Sequence, residues 1–148
     1  MLTSNLHFLT DLSIWVRLAT AIVCGLAIGY ERQIHHKASG LRTMTLICLG
    51  STLYVLVGEM MAAHGSENID PTRIAAQIVT GIGFLGAGVI IHEGLTIHGL
   101  TTAATIWTAA AIGALIGAGY PLVGLVITGL IVVVLLIVSV IERRFLSQ

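Results

Sequence analysis

The sequence predicts an all-α fold: a polytopic bundle of about five transmembrane helices, with the N-terminus outside and the C-terminus in the cytoplasm. Three observations predict it. Of 148 residues, 56% are hydrophobic and only 9% are charged, against roughly 25% charged in a soluble domain. Five apolar stretches approach the ~20 residues that a bilayer core requires. Lys and Arg gather on one side of the resulting topology, which the positive-inside rule assigns to the cytoplasm.

The spans fall at 12–30, 41–63, 71–91, 100–118 and 121–141. What is left is too short for a soluble domain, so residues 1–148 form a single transmembrane domain. The first residues, MLTSNLHFLTD, carry no Lys or Arg. The apolar run after them ends in Tyr30-Glu31-Arg32 rather than at a small-residue site, so no cleavable signal peptide is expected. Cys24 and Cys48 lie inside apolar runs without Cys-x-x-Cys or Cys/His spacing and read as small hydrophobes.

Span one ends in CGLAIGY, where Gly25 and Gly29 form a G-x-x-x-G. Such a pair lets backbones approach, either within the chain or in a dimer; a contact within the chain is favoured. Arg17 lies more than a turn inside this span, and Glu59 stands near the outer end of span two. Mutual pairing is expected, with Glu59 facing Arg17 or Arg73, against plain snorkelling of the two arginines.

Span three opens at Asp70, an N-cap type, followed by Pro71 at the favoured first helical position. Arg73 and Gln77 follow one turn apart, completing an outer-leaflet polar group of Arg17, Glu59, Asp70, Arg73 and Gln77. Further on, GIGFLG matches the dinucleotide pattern G-x-G-x-x-G. That pattern binds a pyrophosphate only between a strand and a helix, and here it lies within an apolar run of spanning length. At about 100° per residue, Ala76, Thr80, Gly83 and Ala87 line one stripe, with Ala75 and Gly86 beside it. The glycines therefore read as packing surface, and span three as the central helix of the bundle. Span four is rich in Ala, Gly and Thr and is expected beside it. Span five is bulky all round and is expected at the periphery, facing lipid.

The orientation rests on Arg32, Lys37, Arg42, Arg143 and Arg144 on one side against Arg17, Arg73 and the acidic loop HGSENID on the other. On the cytoplasmic side, two loops and three helix ends bring Glu31, Arg32, Arg42, Thr43, Glu93, His98, Thr101 and Thr102 to one level. Pairing of Glu31 with Arg42 and of Glu93 with Arg32 would make this a salt-bridge ring; the alternative is a ligand, ion or partner site. His35, His36 and His64 read as solvated loop residues. His92 and His98 flank Glu93, but the loop lacks a tight metal motif. No cofactor is called for beyond weak Mg2+ binding, for which Glu31 and Glu93 are the candidate carboxylates. A net charge of zero offers no field for nucleic acid.

Three stretches carry a family resemblance: GYERQIHHKASGLRT (29–43), DPTRIAAQIVTGIGFLGAGVI (70–90) and GLTTAATIWTAAAIGALIGAG (99–119). Their order and spacing, over roughly residues 12–141, resemble the MgtC/SapB membrane-protein family. The resemblance implies a bacterial inner-membrane protein tied to growth in low magnesium and, in some members, to survival inside host cells. It assigns the motifs to Glu31, Arg32, Gly40, Leu41, Arg42, Thr43, Arg73, Gly83, Gly86, Gly88, Glu93, Gly99, Thr101 and Trp107. It does not imply ATP hydrolysis, since the chain has no P-loop. Some members are thought to act on other membrane proteins, including the F-type ATP synthase. His92 and His98 depart from a pattern that often has arginine, so a fixed charge becomes titratable. Many members also continue into a soluble C-terminal domain; a function that needs it is expected to be absent here or supplied elsewhere.

The sequence thus predicts a non-enzymatic protein of magnesium or acid-stress physiology that binds other membrane proteins or itself. An odd number of spans with small-residue faces points to a homodimer in the lipid bilayer. The competing expectation is a small oligomeric cation transporter or channel, with Arg73 and Gln77 along its path. An intramembrane enzyme is disfavoured, because no Ser/His or paired-Asp arrangement stands within the spans.

Overall fold

Asp11 begins the first helix by accepting a hydrogen bond from the Ser13 amide at 2.9 Å, which satisfies one of the donors that every helix start leaves open. From there the computed structural model, which describes residues 11–63, 70–142 and 144, is almost wholly helical. The helices are α1 (Leu12–Ile34), α2 (Leu41–Ala63), α3 (Pro71–Gly88), α4 (Leu100–Gly117) and α5 (Pro121–Ile141). Four of them, α1, α2, α4 and α5, are long and apolar enough to cross a membrane. The fifth, α3, has spanning length, but Thr72, Arg73 and Gln77 dilute its apolar content.

Between α3 and α4 the chain forms a small hairpin that the sequence reading leaves as a loop. Strand β1 (Ile91–Glu93) pairs antiparallel with β2 (Thr96–His98), Glu93 opposite Thr96. Gly94, at φ +62°, takes the first central position of the two-residue turn, where type II′ geometry demands positive φ. Gly99, at φ +89°, then packs against the Val89 carbonyl, where a Cβ would collide.

The core lies between α1, α2 and α4. Ala21, Cys24 and Ile28 of α1 meet Met44, Ile47 and Cys48 of α2, and both meet Ile106, Ala109, Ile112 and Ile116 of α4. The two cysteines are free and buried. Glycines set the spacing. A Cβ on Gly25 would stand 2.5 Å from Thr45 Cα, and one on Gly29 2.6 Å from Leu41 Cα, so the G-x-x-x-G of α1 lies on α2 within the chain. Gly113 and Gly117 do the same for α4 against α2, on the backbone of Cys48 and Thr52. The Thr52 hydroxyl crosses that contact and donates to the Gly113 carbonyl at 2.8 Å.

The axis of this bundle is α4, not the third span. Half of α4 is buried inside the chain. Among the α3 residues whose burial is described only Gly86 is buried, and it rests on Ala103 of α4. The small residues of α3 point elsewhere: Ala76, Thr80, Gly83 and Ala87 are all exposed, and a Cβ on Gly81, Gly83 or Gly88 would meet nothing within 4 Å. The expected packing on this stripe is not made within the chain: α3 has neighbours on the Gly86 side and, through Ile74 against Gly58, at one end of another flank. At the periphery, α5 touches the bundle through Gly124 and Thr128, its two buried residues.

Candidate functional site

At the end of α1 two sequence neighbours form a buried ion pair. Glu31 and Arg32 are 3% and 2% exposed. Arg32 Nε donates to Glu31 Oε2 at 2.6 Å and Nη2 donates to Oε1 at 3.1 Å. Adjacent residues on a helix do not face each other, so this bidentate contact exists because both side chains fold inward rather than reaching solvent. His35 completes the group: its Nδ1 lies 2.8 Å from the Glu31 carbonyl and 3.1 Å from Oε1. Both atoms are acceptors, so Nδ1 carries the proton. Arg32 also places positive charge near the negative end of the α1 dipole. One donor is left over, for the buried Nη1 of Arg32 finds no acceptor among the described residues.

The helix terminus that holds this group is a Schellman motif. The Lys37 amide donates to Arg32 O at 3.0 Å and the His36 amide to Gln33 O at 3.1 Å, with His36 at φ +52° in the place glycine usually takes. His35 is therefore part of the buried group and His36 part of the cap, whereas the sequence reading leaves both in a solvated loop.

The predicted ring does not close. Glu31 pairs with Arg32 and His35, not with Arg42, and Arg32 does not reach Glu93. Among the described residues Arg42, Glu93 and His98 form no ion pair. Arg42 and Thr43 are exposed on α2; Glu93 and His98 are exposed on the hairpin. Thr101 is exposed at the start of α4 and its carbonyl accepts from the Thr105 hydroxyl, while Thr102 is 4% exposed and part of the core. Among the described residues no three His, Cys, Asp or Glu side chains converge to hold a metal ion.

The outer-leaflet group divides in the same way. Arg17 Nη1 donates to Glu59 Oε2 at 2.8 Å and also to the Gly117 carbonyl at 2.8 Å, tying α1 to α2 and closing the C-terminal end of α4. Of the two partners expected for Glu59, the structure thus selects Arg17. Asp70 caps α3, accepting from the Thr72 amide at 2.8 Å and the Thr72 hydroxyl at 2.7 Å. These bonds, with the nearby Arg73 charge, hold its carboxyl below the usual range. Arg73 and Gln77 stand apart on α3, both exposed. The loop 64–69, with His64, and Arg143 lie outside the described residues, so part of the predicted charge asymmetry does too.

One feature had no signal in the sequence. A cleft of about 830 Å³ opens between α2 and α3, from Arg42 and Thr43 at one end to Met61 and Arg73 at the other. The helices touch near Gly58 and Ile74, and diverge toward Gly50 and Gly81, where an added Cβ would find open space. Finding it would have required the tilt between two helices, which no periodicity encodes.

Comparison with known proteins agrees with the three sequence motifs. The sequence profile of the MgtC family matches residues 18–144. The chain belongs to the MgtC family. Protein MgtC of Brucella abortus (strain 2308) is 51% identical over 102 residues, covering 69% of this chain and 41% of that protein. The putative magnesium transporter YhiD of Escherichia coli (strain K12) is 51% identical over 106 residues, covering 69% and 49%. An uncharacterized protein of Synechocystis, slr0014, is 52% identical over 104 residues, covering 70% and 43%. The chain thus spans less than half the length of each of these curated relatives. No solved structure matches it. As an MgtC family member with four helices long and apolar enough to cross a membrane, the chain is a bacterial membrane protein in contact with the lipid bilayer.

Proposed function

We propose that this chain is a non-enzymatic protein of the bacterial inner membrane that serves magnesium and acid-stress physiology by binding another membrane protein or a second copy of itself. The observation that carries this is the stripe Ala76, Thr80, Gly83 and Ala87 on α3, exposed along its whole length. Small residues are what membrane helices use to approach one another. A homodimer is the simplest assembly, and the F-type ATP synthase is the candidate partner that the family resemblance implies. The buried Glu31–Arg32–His35 group acts as the structural anchor of α1 and not as a reaction centre.

The relative named as a putative magnesium transporter keeps a cation path as the second reading. The cleft between α2 and α3 argues against it within one chain, since its walls are mostly aliphatic and both of its charged side chains are cationic. Crosslinking decides between the two. Gly83→Cys in native membranes should form a disulfide to a second copy or to a partner, above the background of the wild-type chain, and Gly83→Leu should abolish the association without unfolding the monomer. Absence of any crosslink, together with mutation-sensitive cation flux in liposomes, would sink the proposal.

A further inference from the structure

We infer that the cleft between α2 and α3 is a phospholipid site, with an anionic headgroup at Arg42 and acyl chain in the cleft. The cleft holds about 830 Å³, within the ~300–1,000 Å³ of small-molecule sites. Along α2 its lining runs from Arg42 to Met61, about 28 Å at 1.5 Å per residue, close to the ~30 Å of a bilayer hydrocarbon core, so acyl chain entering at the Arg42 mouth has room for the full depth of its leaflet. The walls are mostly aliphatic, and two glycines, Gly50 and Gly81, thin them where the helices diverge. An apolar space of this length, open sideways to hydrocarbon, excludes water and takes acyl chain.

Charge chooses the headgroup. Arg42 stands exposed at one mouth beside the Thr43 hydroxyl and has no ion pair among the described residues. A guanidinium there meets a phosphate with two parallel hydrogen bonds. At the other mouth Arg73 shares the first turn of α3 with the N-cap carboxylate of Asp70, and its amide donates to the Asp70 carbonyl at 3.0 Å, so a negative charge on the same turn offsets the attraction for an anion. The occupied leaflet is therefore the one on the Arg42 side, which the Lys/Arg asymmetry assigns to the cytoplasm. This site is independent of the proposed association face, which lies on the other side of α3.

The test uses the full chain purified from nanodiscs containing equal phosphatidylglycerol and phosphatidylethanolamine of the same acyl chains, read by native mass spectrometry. One phospholipid should remain with the wild type, phosphatidylglycerol preferred about fivefold, as one guanidinium near a surface allows. Arg42→Ala should bring that ratio close to one, and Arg73→Ala should leave it unchanged. Gly81→Phe and Gly50→Phe fill the cleft from positions where the fold has room, and should remove the retained lipid while circular dichroism and melting temperature hold. Equal retention of the two lipids by the wild type would overturn the site. So would retention that survives both phenylalanines, or loss of a dimer in place of a lipid, which would mark the cleft as the seat of a second copy. If the phenylalanine variants fail to fold, the Arg42→Ala ratio decides alone.

Discussion

At the scale of single residues, the strongest constraint is the buried pair at the end of α1. Two charges taken out of solvent are tolerable only while each neutralises the other, and removing one leaves the other buried and unpaired. Arg32→Ala should therefore destabilise the chain by about 3–5 kcal/mol, measured by thermal or denaturant unfolding in detergent. The double variant Glu31→Met/Arg32→Met should recover most of that loss, because two apolar side chains leave no orphan charge. Additive losses in the double variant would show that the two residues act separately. The sequence marks Glu31 and Arg32 as a polar cluster at a helix end, since ionisable residues there are few. It cannot show that they pair with each other, because helical geometry favours partners three or four positions away and the actual contact depends on both being covered by other helices. His35 escapes notice for a related reason. A histidine beside two polar neighbours reads as loop, and only the four extra residues of α1, to Ile34, bring it one turn from Glu31.

At the scale of elements, helix existence and most boundaries are legible, because spanning length and Asp70-Pro71 are local signals. The rank of the helices is not. A run such as GIGFLGAG and a run such as AAAIGALIGAG have nearly the same small-residue content, yet α4 is buried and α3 is exposed. What separates them is which side of each helix its neighbours take, a property of the whole bundle. The difference is measurable by adding bulk. On Gly113 a side chain runs into the Cys48 carbonyl and the Ser51 side chain, and backbone yields little. Gly113→Leu should cost roughly 3 kcal/mol, the upper end of ordinary overpacking. Gly83→Leu meets open space and should leave monomer stability within about 0.5 kcal/mol, or raise it slightly through helix propensity. The same unfolding assay on both variants checks this ordering. Equal losses would restore α3 to the core.

At the scale of the whole molecule, the chain is a three-helix unit of α1, α2 and α4, with α5 laid on one side and α3 leaning on the other. Arg17 braces the unit at one end by joining α1, α2 and the Gly117 carbonyl of α4; at the other end the Glu31–Arg32 pair of α1 is buried. No comparable interhelical side-chain bond ties α3 among the described residues. Local opening follows buried contact, so amide exchange should be fastest in α3 and slowest in α4. Acid should widen the gap, and the sign follows from Asp70. Its carboxyl is held below the usual value by the Thr72 hydroxyl first, then the Thr72 amide and the Arg73 charge. A group depressed in the folded state contributes stability above its unfolded value, about 3.9, and loses it as pH falls through the folded value. Exchange over the first turn of α3 should therefore quicken only below about pH 4, while α4 stays protected. Asp70→Asn keeps the hydrogen-bonding cap without a titrating group and should remove the acid dependence. If α3 opens near neutral pH, or if Asp70→Asn opens it as acid does, some group other than the cap governs how α3 is held, and the exposed stripe is regulated elsewhere.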